Sequence, residues 1–135
     1  MRRRIQNKFL LAALLSGLGL IFAEQASAQV FTSLHSFTTG DEANPDSGLV
    51  VSGGTLYGTT QYGSSSGNGT VFALNINGSG FTNLHSFNGS DGFNPFASLI
   101  FSGDTLYGTA PGGGSSDKGA IFAIHTERHR VHEPV

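Results

Sequence analysis

Two histidines, His35 and His85, are the residues of this chain best fitted to move a proton or bind a ligand. They stand fifty positions apart in nearly the same heptapeptide, FTSLHSF at residues 31–37 and FTNLHSF at residues 81–87. A catalytic imidazole needs a convergent group of another kind beside it. In an extended strand, alternation instead places Phe31, His35 and Phe37 on one face. A histidine set between phenylalanines in every copy reads as a packing element with a satisfied ring nitrogen. Tyr57 and Tyr107 recur in the same way and are expected to pack with the hydroxyl at the edge.

Oxygen ligands are the next candidates. Asp41 with Asn44, and Asp91 with Asn94, each lie just before a proline, Pro45 or Pro95. Calcium takes about six to eight oxygens, more than either cluster offers. Asx-type turns leading into the prolines account for the same residues. The run GGGSSDKG at 112–119 looks superficially like a phosphate loop, but Lys118 follows Asp117 and precedes Gly119, so the Gly-Lys-Ser/Thr core is missing. His125, His129, His132 and Glu133 would share a face if the chain end were helical. The break in repeat register there marks residues 126–135 as an irregular tail instead. Asn68, Asn77 and Asn88 head glycosylation-type triplets that a chain so rich in Asn, Gly and Ser contains by composition. No catalytic, cofactor-binding or metal-binding residue is assigned, and no cofactor is expected.

The elements that position these residues come from a duplication. With Phe31 placed over Phe81, the chain aligns with itself without a gap to Asn75 over His125, and 23 of the 45 aligned positions are identical. SGGTLYGTT at 52–60 falls on SGDTLYGTA at 102–110, and GTVFAL at 69–74 on GAIFAI at 119–124. Where the copies differ, Val50 becomes Ile100 and Val71 becomes Ile121, so β-branched character is kept. Each copy reads as four short strands: one over LVV at 49–51, a second over 55–60 after a glycine turn, a third over 70–75 after a Gly/Ser loop, and a fourth over 81–87. Four strands in about fifty residues is the pattern of one propeller blade. The expected fold is all-β, two four-stranded blade-like repeats, with residues 29–80 as repeat one and 81–125 as repeat two.

The set L-H-S-F, an Asn-Pro-containing segment, L-Y-G-T-T and G-T-V-F-A-L at this spacing resembles the GloVer tandem repeats of exported bacterial proteins with varied C-terminal anchors. The resemblance runs from Phe31 to about Ile124. It implies a propeller-like, surface-associated repeat protein with no activity attached to the repeat itself. Members of that family usually carry several repeats and this chain holds two, so an incomplete propeller, a fragment, is the expectation. Closed propellers use about four to eight blades. Two leave outer faces to be covered by self-association or by further repeats, and Phe72, Leu74, Phe122 and Ile124 are expected on those uncovered faces.

Export is read from the N-terminus. Arg2, Arg3, Arg4 and Lys8 precede an apolar run over residues 9–23, and Ala26-Ser27-Ala28 follows. That order makes residues 1–28 a cleavable signal peptide. The fifteen-residue run falls short of the roughly twenty needed to span a bilayer, so no stable span is expected in the mature chain. The residues that should follow a twin-arginine pair are missing. Beyond the leader, Lys118, Arg128 and Arg130 face eight acidic residues, a net charge of −5, which argues against nucleic acid as a partner. With no cysteine, neither disulfides nor thiolate metal sites enter. The reading is an exported, non-catalytic module of the cell envelope, a scaffold or binding unit whose partner is a protein or glycan at the cell surface. The alternative is a fragment of a propeller enzyme acting on glycans or peptides. The intact mass of extracytoplasmic material should correspond to a chain beginning at Gln29. A membrane-retained species that keeps residues 1–28 would contradict the leader assignment.

Overall fold

In this computed structural model, residues 28–38 and 44–126 are described. Residues 1–27 of the expected leader (1–28), Asp41, and residues 127–135 of the expected tail, with His129, His132 and Glu133, lie outside the described residues. The N-terminal unit covers residues 1–31, and its described part, 28–31, is irregular and exposed. All the strands of the described residues lie in the second unit.

Seven strands form, and no helix, among the described residues. They are β1 (Val50–Ser52), β2 (Thr55–Thr60), β3 (Thr70–Asn75), β4 (Thr82–Ser86), β5 (Ile100–Ser102), β6 (Thr105–Ala110) and β7 (Ala120–His125). They make two antiparallel sheets, β1-β2-β3-β4 and β5-β6-β7. The fold is all-β and blade-like, and the two sheets do not close into a ring. No helix among the described residues is long and apolar enough to cross a membrane.

Local chemistry explains the hairpins. Ser52 pairs with Thr55 across a two-residue turn in which Gly53 and Gly54 take φ of 58° and 78°. Such positive φ at both central residues matches the strand twist and suits glycine. The Gly/Ser loops are also built alike. Gly69 N–H donates to the Gly63 carbonyl as Gly119 N–H donates to that of Gly113. Across the β2–β3 pair, Thr60 and Thr70 hydroxyls meet at 2.8 Å, which satisfies two fully buried polar groups.

Each sheet has two apolar faces, and the duplication gives both sheets the same pair. In the first, Val50, Tyr57 and Val71 turn toward the second sheet. There they pack with Leu99, Phe101, Leu106, Phe122 and Ile124, and with Phe87 just past β4. Leu56, Phe72 and Leu74 point the opposite way. Gly58 pairs with Phe72 in register, and Gly108 with Phe122. A Cβ on Gly58 would sit 2.6 Å from the Phe72 ring and 2.8 Å from Leu49, and one on Gly108 would likewise run into Phe122 and Leu99. The glycine of L-Y-G-T is there because a phenylalanine ring lies across it.

Three expectations need correcting. Residues 31–38 are irregular, and Phe31 is exposed instead of sharing a strand face with His35 and Phe37. The reason is visible at β4: this heptapeptide becomes a strand by pairing with the β3 that precedes it, and among the described residues no strand precedes residues 31–37. Phe72 and Leu74 are buried, at 3% and 6% exposure, and Phe122 and Ile124 line the core between the sheets, so none of the four lies on an uncovered face. Alternation instead leaves Ile100, Tyr107 and Ile121 exposed on the second sheet. Finally, that sheet has three strands among the described residues, and the segment fifty positions beyond β4 lies outside them. The fourth strand of the first sheet is thus drawn from the second sequence repeat.

Gly108→Ala should lower stability by about 1–3 kcal/mol through overpacking against Phe122 and Leu99. In a domain of this size that is a fall of roughly 4–8 °C in Tm per kcal/mol. An unchanged melting curve would show that the ring-over-glycine contact is not limiting.

Candidate functional site

The sequence-derived candidates converge at the turn after β4. Phe87 is almost fully buried and anchors the strand end. Beyond it, the Asn88 side-chain oxygen accepts from the Ser90 N–H at 2.9 Å and from the Ser90 hydroxyl at 2.7 Å, an Asx turn. The Asp91 carboxylate then bridges back. One oxygen accepts from the Asn88 N–H at 2.9 Å, and the other lies 2.9 Å from Nε2 of His85. The His85 ring meets Phe87 edge-on, with centroids 4.9 Å apart.

His35 repeats part of this arrangement. Its ring stands edge-on to Phe37 at 4.8 Å and stacks on Phe81 at 4.2 Å and 3°. Both imidazoles therefore lie against phenylalanine. The His85–Asp91 pair escaped sequence reasoning, although its signal was present: His35 and Asp41 have the same spacing of six, fifty residues earlier.

The structure disperses the other candidates. Asn94 adopts φ of 55° ahead of Pro95, and its N–H donates to the Asn68 carbonyl at 2.8 Å. The buried Pro95 carbonyl accepts from the Thr59 hydroxyl at 2.9 Å. The Asn-Pro motif thus clips one repeat onto the sheet of the repeat before it. Among the described residues no group of three or more His, Asp or Glu is placed to hold a metal. In the loop over 112–119, the N–H of Gly113 donates to Asp117 Oδ1, that of Gly114 to the Gly89 carbonyl and that of Asp117 to the Gly114 carbonyl. Those N–H groups are turned inward, not toward a phosphate. His125 ends β7, with Nδ1 2.9 Å from the Thr105 hydroxyl opposite. Tyr57 packs beside Phe101 at 5.6 Å, whereas Tyr107 is exposed.

A cavity of about 280 Å³ lies on the far face of the first sheet. Leu49, Leu56, Phe72 and Leu74 line it together with His35 and Pro45. It is apolar and carries no converging set of acid, base and nucleophile.

The ring contacts repeat with the sequence. Phe37 lies on Phe72 at 5.3 Å and 68°, and Phe87 lies on Phe122 at 5.1 Å and 68°. The Gloeobacter/Verrucomicrobia repeat model matches residues 11–133. The chain belongs to that repeat family. No curated protein and no solved structure matches it. Within the family's repeat, the LHSF histidine and phenylalanine, the Asn-Pro pair and the glycine of L-Y-G-T all have packing or clipping contacts in this chain.

Burial pushes the Asp91 carboxyl upward, but the Asn88 N–H, the hydrogen bond and charge of His85, and its own N–H outweigh that and hold it below the ordinary carboxylate value. A carboxyl depressed on folding adds stability above its unfolded pKa, and that stability is lost as pH falls through the folded value. Asp91→Asn should therefore melt lower than wild type at neutral pH, with the gap narrowing as pH falls through the carboxylate range. His85→Ala should cost about 1 kcal/mol through the lost bond and ring contact, and His35→Ala should likewise lower Tm. Variants that melt like wild type while losing a measured ligand or activity would contradict a packing role.

Proposed function

We propose that this chain is an exported, non-catalytic repeat module of the cell envelope, whose sheets act as a scaffold or as a binding face for a protein or glycan. The observation that carries the reading is the use made of His85 and Asp91. The acid closes a turn onto a backbone N–H, and the imidazole packs on a phenylalanine, in a motif whose histidine and aspartate recur in both repeats. Scaffold positions recur from unit to unit, whereas a reaction centre draws unlike groups together. The basic, apolar and small-residue order over residues 1–28 supports export.

The test pairs location with chemistry. Fractionated cells should hold the chain outside the cytoplasm. The purified protein, offered panels of glycosides and peptides, should turn over none and retain binding partners from surface glycans or proteins. Hydrolysis that disappears in a folded Asp91→Asn variant would overturn the reading in favour of an enzyme.

A further inference from the structure

The interface between the two sheets reveals what fits the surfaces left open at either end. Val71 is fully buried against the second sheet, while its counterpart Ile121 is 84% exposed. Leu99 is 4% exposed beneath the first sheet, while its counterpart Leu49 is 57% exposed. The residues that meet inside this chain, Val50, Tyr57 and Val71 on one side and Leu99, Leu106 and Phe122 on the other, thus have second sets fifty positions away. Ile100, Tyr107 and Ile121 form one open set. Leu49 and Leu56 belong to the other, at the cavity that Phe72, itself 3% exposed beneath Phe37, also lines.

The sheet edges match as well. Among the described residues β7 is paired on one side, by β6. The strand that would pair on its other side is FTNLHSF in the first sheet, where β4 lies on β3 with Val71 opposite His85 and Thr70 opposite Ser86. Residues 31–37 carry nearly the same heptapeptide, and Phe37 already rests on Phe72 as Phe87 rests on Phe122.

We propose that a second copy of this chain docks head to tail. The Ile100–Tyr107–Ile121 face of one copy covers the Leu49–Leu56–Phe72 cavity of the next, and residues 32–36 of that next copy add to β7 as its fourth strand. By the register of β3 and β4, Ile121 then stands opposite His35, and Ala120 opposite Ser36. The contact is heterologous, so copies continue into a ring or a row. Apolar burial drives it, and backbone pairing at an open sheet edge sets the register. It requires neither export nor a surface ligand, so its failure and that of the proposed function are separable.

Two exposed sites allow a test that leaves the core intact. In sedimentation velocity the full-length chain should form species larger than a monomer. Ile121→Glu and Leu49→Glu should each be monomeric when alone, with wild-type circular dichroism. Their equimolar mixture should form a heterodimer that grows no further, because each variant keeps one working face. Hydrogen exchange should show amides 32–36 slowed in the associated form. A monomeric wild type, or Leu49→Glu that still self-associates through its intact Ile121 face, would overturn head-to-tail docking. A heterodimer without protection at 32–36 would overturn the strand addition.

Discussion

A phenylalanine ring lying across a glycine sets the terms for the rest of this structure. Phe72 crosses Gly58 and Phe122 crosses Gly108, and in each sheet the space is defined on one side by Leu49 or Leu99. Onto the outer side of each ring comes another phenylalanine, Phe37 or Phe87, carried by the LHSF segment. A side chain larger than hydrogen on the second strand would lift the ring and with it the contact to the neighbouring segment. The spacing between L-Y-G-T, the third-strand phenylalanine and LHSF therefore varies together or not at all, because three separate elements meet at one ring.

Around that contact, polar groups fasten one repeat to the next. The Ser66 hydroxyl donates to the Phe87 carbonyl at 2.6 Å, and the Phe87 N–H donates to the Gly69 carbonyl at 3.0 Å. Pro95 accepts from Thr59 on the other side of the same loop. Phe87 is thus held by ring packing and by its own backbone, and the turn closed by Asp91 begins at a fixed point. The side chains best suited to chemistry sit where they complete this fastening.

Much of the fold was legible because the signals were local. Strands 55–60 and 70–75 follow from alternation of Leu, Tyr, Val and Phe with small residues, and the turn between 52 and 55 follows from paired glycines. What alternation could not tell was which face meets which neighbour, so Phe122 and Ile124 were expected outside and lie inside. Nor could composition separate the two copies of FTxLHSF, since a strand exists only where a partner strand stands beside it. The His85–Asp91 pair was within reach of the sequence through its recurrent spacing, but the bridge depends on a turn whose shape is set by Asn88 and two glycines, Gly89 and Gly92.

The borrowing of β4 from the second repeat has a consequence for how such an array is made and divided. During synthesis the first sheet has only three strands until residue 86 has emerged, by which point the next repeat is already under way. A protease cut or gene fusion at the apparent boundary between residues 80 and 81 would remove the outer strand of the first sheet. Breaks placed after the LHSF segment, near residue 88, keep whole sheets together. The repeat visible in the sequence and the piece that can be exchanged between proteins are therefore out of phase. Each link of the chain reaches into the next, as adjoining tiles overlap on a roof.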